Sequence, residues 1–123
     1  MNKVIAILFS LAALLLLAVA GLLPWDIVGV SPNTIRWVTQ SEEDVFGYDV
    51  YRGASEAGPF QRLNEQAIPG GGTTDLPQRY AYTDDTIESG KVYWYYIEEV
   101  ALSGERSRLT PIYASRPKAA YFW

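Results

Sequence analysis

The chain has 123 residues, room for one domain, and contains neither cysteine nor histidine. Those absences exclude disulfide scaffolds, Cys/His zinc sites, iron–sulfur clusters, His- or Cys-ligated haem and every nucleophile–histidine dyad or triad. Ten basic against fourteen acidic side chains give a formal charge of −4, which argues against a nucleic-acid partner, and 14% aromatic residues argue against disorder.

The N-terminus differs in composition from the rest. Met1-Asn2-Lys3 is short and basic, and residues Val4 to Leu23 carry no charge, with Ser10 the only polar side chain. Pro24-Trp25-Asp26 closes the run. As a helix rising 1.5 Å per residue, such a run reaches about 30 Å, the hydrocarbon thickness of a bilayer. Lys3 then stays on the cytoplasmic side, and the chain after Trp25 is extracytoplasmic. A transmembrane helix or signal-anchor is expected over residues 1–25, with Lys3 and Trp25 at the two membrane interfaces. The alternative is a cleaved signal peptide, since Ala18-Val19-Ala20 before Gly21 fits the small-x-small cleavage rule. The apolar run continues past Ala20 and is longer than a usual signal core, which favours the retained anchor.

From Asn33 onward the pattern is short strands with turns between. Asn33 to Trp37 alternates, with Ile35 and Trp37 on one face. Ser41 to Asp44 reads as a polar turn. Phe46 to Arg52 alternates again, placing Phe46, Tyr48 and Val50 together. Phe60 to Leu63 is a short strand, and Pro69-Gly-Gly-Gly72 through Pro77 a long irregular connection. Arg79 to Thr83 alternates, Lys91 to Val100 is the longest predicted strand, and Arg106 to Ala114 the last, with Pro111 marking an edge or bulge. No stretch after Trp25 keeps a helical period. Short strands so spaced predict an all-β, seven-stranded antiparallel sandwich.

In order and spacing these segments resemble a fibronectin type III domain over roughly Asp26 to Lys118. Thr34 to Trp37 is similar to its second strand and core tryptophan, and Phe46 to Arg52 to its third. Gly58 to Leu63 resembles the short strand that follows in bacterial versions. Tyr82 to Asp85 and Gly90 to Tyr93 resemble the approach to its sixth strand, and Glu98 to Gly104 the exit. The resemblance implies an immunoglobulin-like sandwich over 26–118, with Tyr93 as a tyrosine corner, followed by an aromatic tail over 119–123. It also implies a binding or structural role rather than catalysis. The glycine-rich stretch and the tail depart from the family's pattern.

Trp37, Tyr48, Val50, Tyr93 and Tyr95 are expected in the core, with Ile35 and Ile97. Alternation then turns Tyr51, Trp94 and Tyr96 outward onto one face. That face is either a cross-strand ladder or a docking surface. The C-terminal Tyr121-Phe122-Trp123 has no expected role in closing the sandwich and suits a partner groove or the membrane interface. The acidic clusters Glu42-Glu43-Asp44 and Asp84-Asp85 read as solvated loops rather than metal or carboxylate-pair sites. Arg106 and Arg108 read as a solvated edge that discourages strand addition, with lipid headgroups as the sharper alternative. Gly70-Gly71-Gly72 lacks the Lys-Ser/Thr of a phosphate loop. No cofactor or metal is expected. The expected role is a non-catalytic accessory subunit. Its partners would be the lipid bilayer and the other membrane-protein subunits of a larger complex. The alternative is a secreted or surface module, cleaved after Ala20, that binds protein or glycan.

Overall fold

Backbone alternation in this chain yields strands wherever one side chain in two can be buried. The computed structural model describes residues 28–122, with residues 28 and 120–122 described by backbone alone. The transmembrane helix or signal-anchor expected over residues 1–25, with Lys3 and Trp25, and also Trp123, lie outside the described residues. Among the described residues, no helix is long and apolar enough to cross a membrane.

The strands are β1 (Val28–Val30), β2 (Asn33–Thr39), β3 (Glu42–Gly53), β4 (Phe60–Arg62), β5 (Ile68–Thr74), β6 (Gln78–Asp84), β7 (Trp94–Ala101), β8 (Arg106–Arg108), β9 (Tyr113–Ala114) and β10 (Ala120–Phe122). All pairings are antiparallel. β2 and β6 form one layer, in register from Asn33 opposite Asp84 to Thr39 opposite Gln78. The second layer runs β4-β3-β7-β8, with β5 also on β3 and β9 also on β7. β3 and β7 are its centre: β4 and β5 share the far edge of β3, and β8 and β9 that of β7. β1 pairs with β10 in a separate two-stranded sheet.

The two layers meet as a β-sandwich. Trp37, Val45, Tyr48, Val50, Tyr93, Tyr95 and Ile97 are buried between them, with Ile35 and Tyr80 half-buried against this core. Trp37 stacks on Tyr80 at 5.3 Å between ring centroids, and Tyr48 meets Tyr80 at 4.8 Å. One aromatic trio therefore draws on both layers, a packing worth more than its buried area alone. Tyr93 sits just before β7, and its hydroxyl accepts a hydrogen bond from the Glu88 N–H at 2.9 Å.

The strand count exceeds the predicted seven for local reasons. Pro111, which has no N–H to give a ladder, lies between β8 and β9. The stretch read as an irregular connection contains β5. Its glycines admit a close approach: a β-carbon at Gly70 would lie 2.7 Å from Val45 Cγ1, and one at Gly47 would lie 2.5 Å from the Ile68 carbonyl oxygen. The polar turn predicted at Ser41 to Asp44 is shorter, because Glu42 already belongs to β3.

Phe46 does not share a face with Tyr48 and Val50. It is 56% exposed, and Val45 is buried in its place. The cause is a register shift between Val45 and Gly47 against β5 and β7. Asp44 takes a left-handed backbone (φ 51°) just before it. An extra residue in one strand inverts the alternation on one side of the irregularity. The C-terminal tail also differs from expectation, because its Ala120–Phe122 backbone is paired with β1.

Candidate functional site

The outer face of the central pair β3 and β7 carries the predicted aromatic cluster. Tyr51 and Tyr96 stand directly opposite each other. Their rings stack at 4.9 Å with 6° between planes. Phe60, from β4, meets Tyr96 edge-on at 5.1 Å. From the other side, on β8, the Arg108 guanidinium lies 4.5 Å from the centre of the Tyr96 ring. Tyr96 thus meets Tyr51, Phe60 and Arg108. Burial and the nearby Glu98 carboxylate push the hydroxyls of both Tyr51 and Tyr96 upward in pKa. Trp94 stands apart from this column, opposite Gly53 on β3 and Ala114 on β9.

Toward the other end of the same face, charge replaces the aromatics. Asp49 is 1% exposed. Its carboxylate accepts from Arg106 at 2.7 Å and from Asn64 Nδ2 at 2.7 Å, with Arg62 at 3.8 Å. Arg106 also reaches Glu98 at 2.7 Å. Arg106 and Arg108 are exposed on β8, as the solvated-edge reading expects, and each also has a partner. One bridges two carboxylates and the other caps an aromatic ring. Asn64 in addition accepts from the Val50 N–H at 2.8 Å, fixing the loop between β4 and β5 to β3.

Two carboxylates read as loop residues are buried inside the sandwich. Glu42 accepts from the hydroxyls of Tyr48 and Tyr80, from Thr39 Oγ1 and from the Gly71 N–H. Burial pushes its pKa up, but these donors together hold it below the usual value. Asp84, at the opposite end of β6 from Gln78, accepts from Arg52 at 2.9 Å, Tyr95 at 2.6 Å and Thr86 at 2.8 Å. Burial opposes ionisation here as well, and Tyr95, Arg52 and Thr86 outweigh it. The Tyr95 hydroxyl also accepts from Asn33 at 2.9 Å. Both networks tie β6 to the second layer. The signal that sequence reading missed is the hydroxyl company of Glu42: Thr39 three residues before it and Tyr48 six after.

Of the predicted site residues, the fold brings Tyr51 and Tyr96 together and leaves Trp94 separate. Tyr121 and Phe122 are placed by backbone, beside β1. The pairing of β1 with β10 brings the two ends of the described chain to one pole. Val28 stands opposite Phe122 and Val30 opposite Ala120.

No family model matches the chain, and no solved structure matches it. An amylopullulanase of Thermoanaerobacter thermohydrosulfuricus is 28% identical over 83 residues. That match covers 67% of this chain and only 5% of the amylopullulanase. The weak likeness fits a β-sandwich domain.

Proposed function

We propose that the chain is a non-catalytic single-pass membrane protein. Its extracytoplasmic, fibronectin type III-like sandwich serves as an accessory or scaffold subunit of a larger membrane-protein complex. The observation that carries this reading is the β1–β10 pairing. β1 follows closely on the apolar run that ends at Leu23, and β10 leads into the final aromatic residues. The described chain therefore begins and ends at the same pole of the sandwich. Tyr and Trp are favoured at headgroup depth, where one end of the ring is wet and the other apolar. A sandwich held at that pole meets chiefly the membrane and what stands in it. The fibronectin type III likeness draws support from Trp37 in the core and from the Tyr93 hydroxyl bonded to a nearby backbone N–H, as a tyrosine corner is.

Removing Tyr121 to Trp123 tests the reading. In membranes extracted with mild detergent, the shortened chain should co-purify less with its partners while the sandwich keeps its melting transition. Undiminished co-purification would count against the role of the tail.

The second reading is a secreted or surface binding module cleaved after Ala20. It draws on the Ala18-Val19-Ala20 signal and on the likeness to a stretch of amylopullulanase. Within the predicted cluster, Tyr51 and Tyr96 stack on each other and Arg108 lies over Tyr96, which leaves Trp94 as the ring to serve a glycan ligand. Quenching of Trp94 fluorescence by pullulan oligosaccharides would favour this reading, and no change at millimolar sugar would remove its glycan form.

A further inference from the structure

We propose that the groove beside the open edge of β2 takes up an extended, acidic segment of a partner protein as an added β-strand. This surface is separate from the pole where β1 and β10 pair, and the proposal holds whether or not the N-terminal run is retained.

Three observations carry it. The first is the backbone. β2 pairs with β6 along one side, and β9 pairs with β7 along one side. Between their other edges runs a groove of about 330 Å³, lined by Asn33 to Arg36 on one wall and by Tyr113 to Arg116 on the other. Among the described residues, no backbone bond joins β2 to anything but β6. Alternate N–H and C=O groups of β2 thus face the groove unpaired, the arrangement that accepts an added strand.

The second is the regularity of the edge. Proline and bulges commonly blunt edge strands, as do charges, which here are cations alone and so turn away basic strands rather than acidic ones. β2 keeps an unbroken register over all seven residues and contains no proline. Ile35, half-buried, and Tyr113, 61% exposed, offer apolar contact to alternate side chains of an incoming strand.

The third is charge. The chain as a whole is acidic, yet the groove is lined by Arg36, Arg116 and Lys118 and by no carboxylate. Arg52, Arg62, Lys91 and Arg106 have carboxylate partners; among the described residues, the three groove cations have none. Unpaired cations beside an open edge select an acidic strand and steer its approach. They also disfavour a second copy of this chain, because pairing two β2 edges about a two-fold axis would set like charges against each other.

The test uses the full-length protein in detergent micelles and a fluorescein-labelled seven-residue peptide alternating glutamate and valine, read by anisotropy. Two control peptides replace glutamate by lysine, or carry N-methyl groups on the amides of one edge. The glutamate peptide should bind saturably, and each control about tenfold more weakly. The double variant Arg116→Glu, Lys118→Glu should lose binding by a similar factor with an unchanged circular dichroism spectrum. Arg36→Glu, on the opposite wall, is a second variant if the first fails to fold. Equal binding of the N-methylated peptide would overturn strand addition, and no binding at millimolar peptide would overturn the site. A concentration-dependent dimer in sedimentation that excludes the peptide would assign the groove to a second copy instead.

Discussion

Glu42 and Asp84 hold their negative charge inside the sandwich, Glu42 among hydroxyl and amide donors and Asp84 among hydroxyls, an amide and the Arg52 guanidinium. Each carboxylate has its pKa lowered by these bonds against the opposing effect of burial. A depressed folded-state pKa contributes stability that is complete above the ordinary carboxylate range and is lost as pH falls through the folded value. Stability should therefore decline below about pH 4, with both groups contributing in that same acid window. Glu42→Gln should cost about 1–3 kcal/mol at pH 7 and flatten the acid limb of the stability curve. Urea midpoints at pH 7 and pH 3 for both chains check it, and an unchanged acid limb would contradict it. Arg52→Ala leaves Asp84 buried without its cation and should cost about 3 kcal/mol, with Asp84→Asn in the same chain restoring part of the loss. Urea unfolding of the three variants reads that coupling directly.

At the scale of strands, alternation made most of the fold legible. Ile35 with Trp37, Tyr48 with Val50, and Tyr95 with Ile97 announce their inward faces, and all six lie in or against the core. The register shift at Val45 to Gly47 was not legible, because Phe46 continues the alternation of Tyr48 and Val50 without a break. β5 was hidden for a different reason. Its three glycines carry no periodic side chains, and what makes them a strand is the crowding of Val45 and Gly47 across the pair. The outer face was legible in placement but not in state. Sequence puts Tyr51 and Tyr96 outside, whereas only the register shows them spending their ring faces on each other and on Arg108. A double-mutant cycle of Tyr51→Ala and Tyr96→Ala should give a coupling of about 0.5–1 kcal/mol. Additive losses in thermal or urea unfolding would mean that the stacked pair is not a stabilising ladder.

For the whole molecule, the arrangement is a sandwich with one distinctive pole. There the strand that follows the apolar run is hydrogen-bonded to the strand that ends in aromatics. Sequence alone suggested a tail with no part in closing the sandwich, since three aromatics in a row show no alternation long enough to read as a strand. The pairing with β1 is a contact between chain ends, which no local pattern encodes. It supports the proposed membrane-subunit role, because the described chain begins and ends at one pole. Native mass spectrometry of the protein, extracted from its own membranes in mild detergent, tests that account most directly. The account predicts a chain of the full 13.7 kDa inside a larger complex. A chain lighter by its first twenty residues and found alone would contradict it.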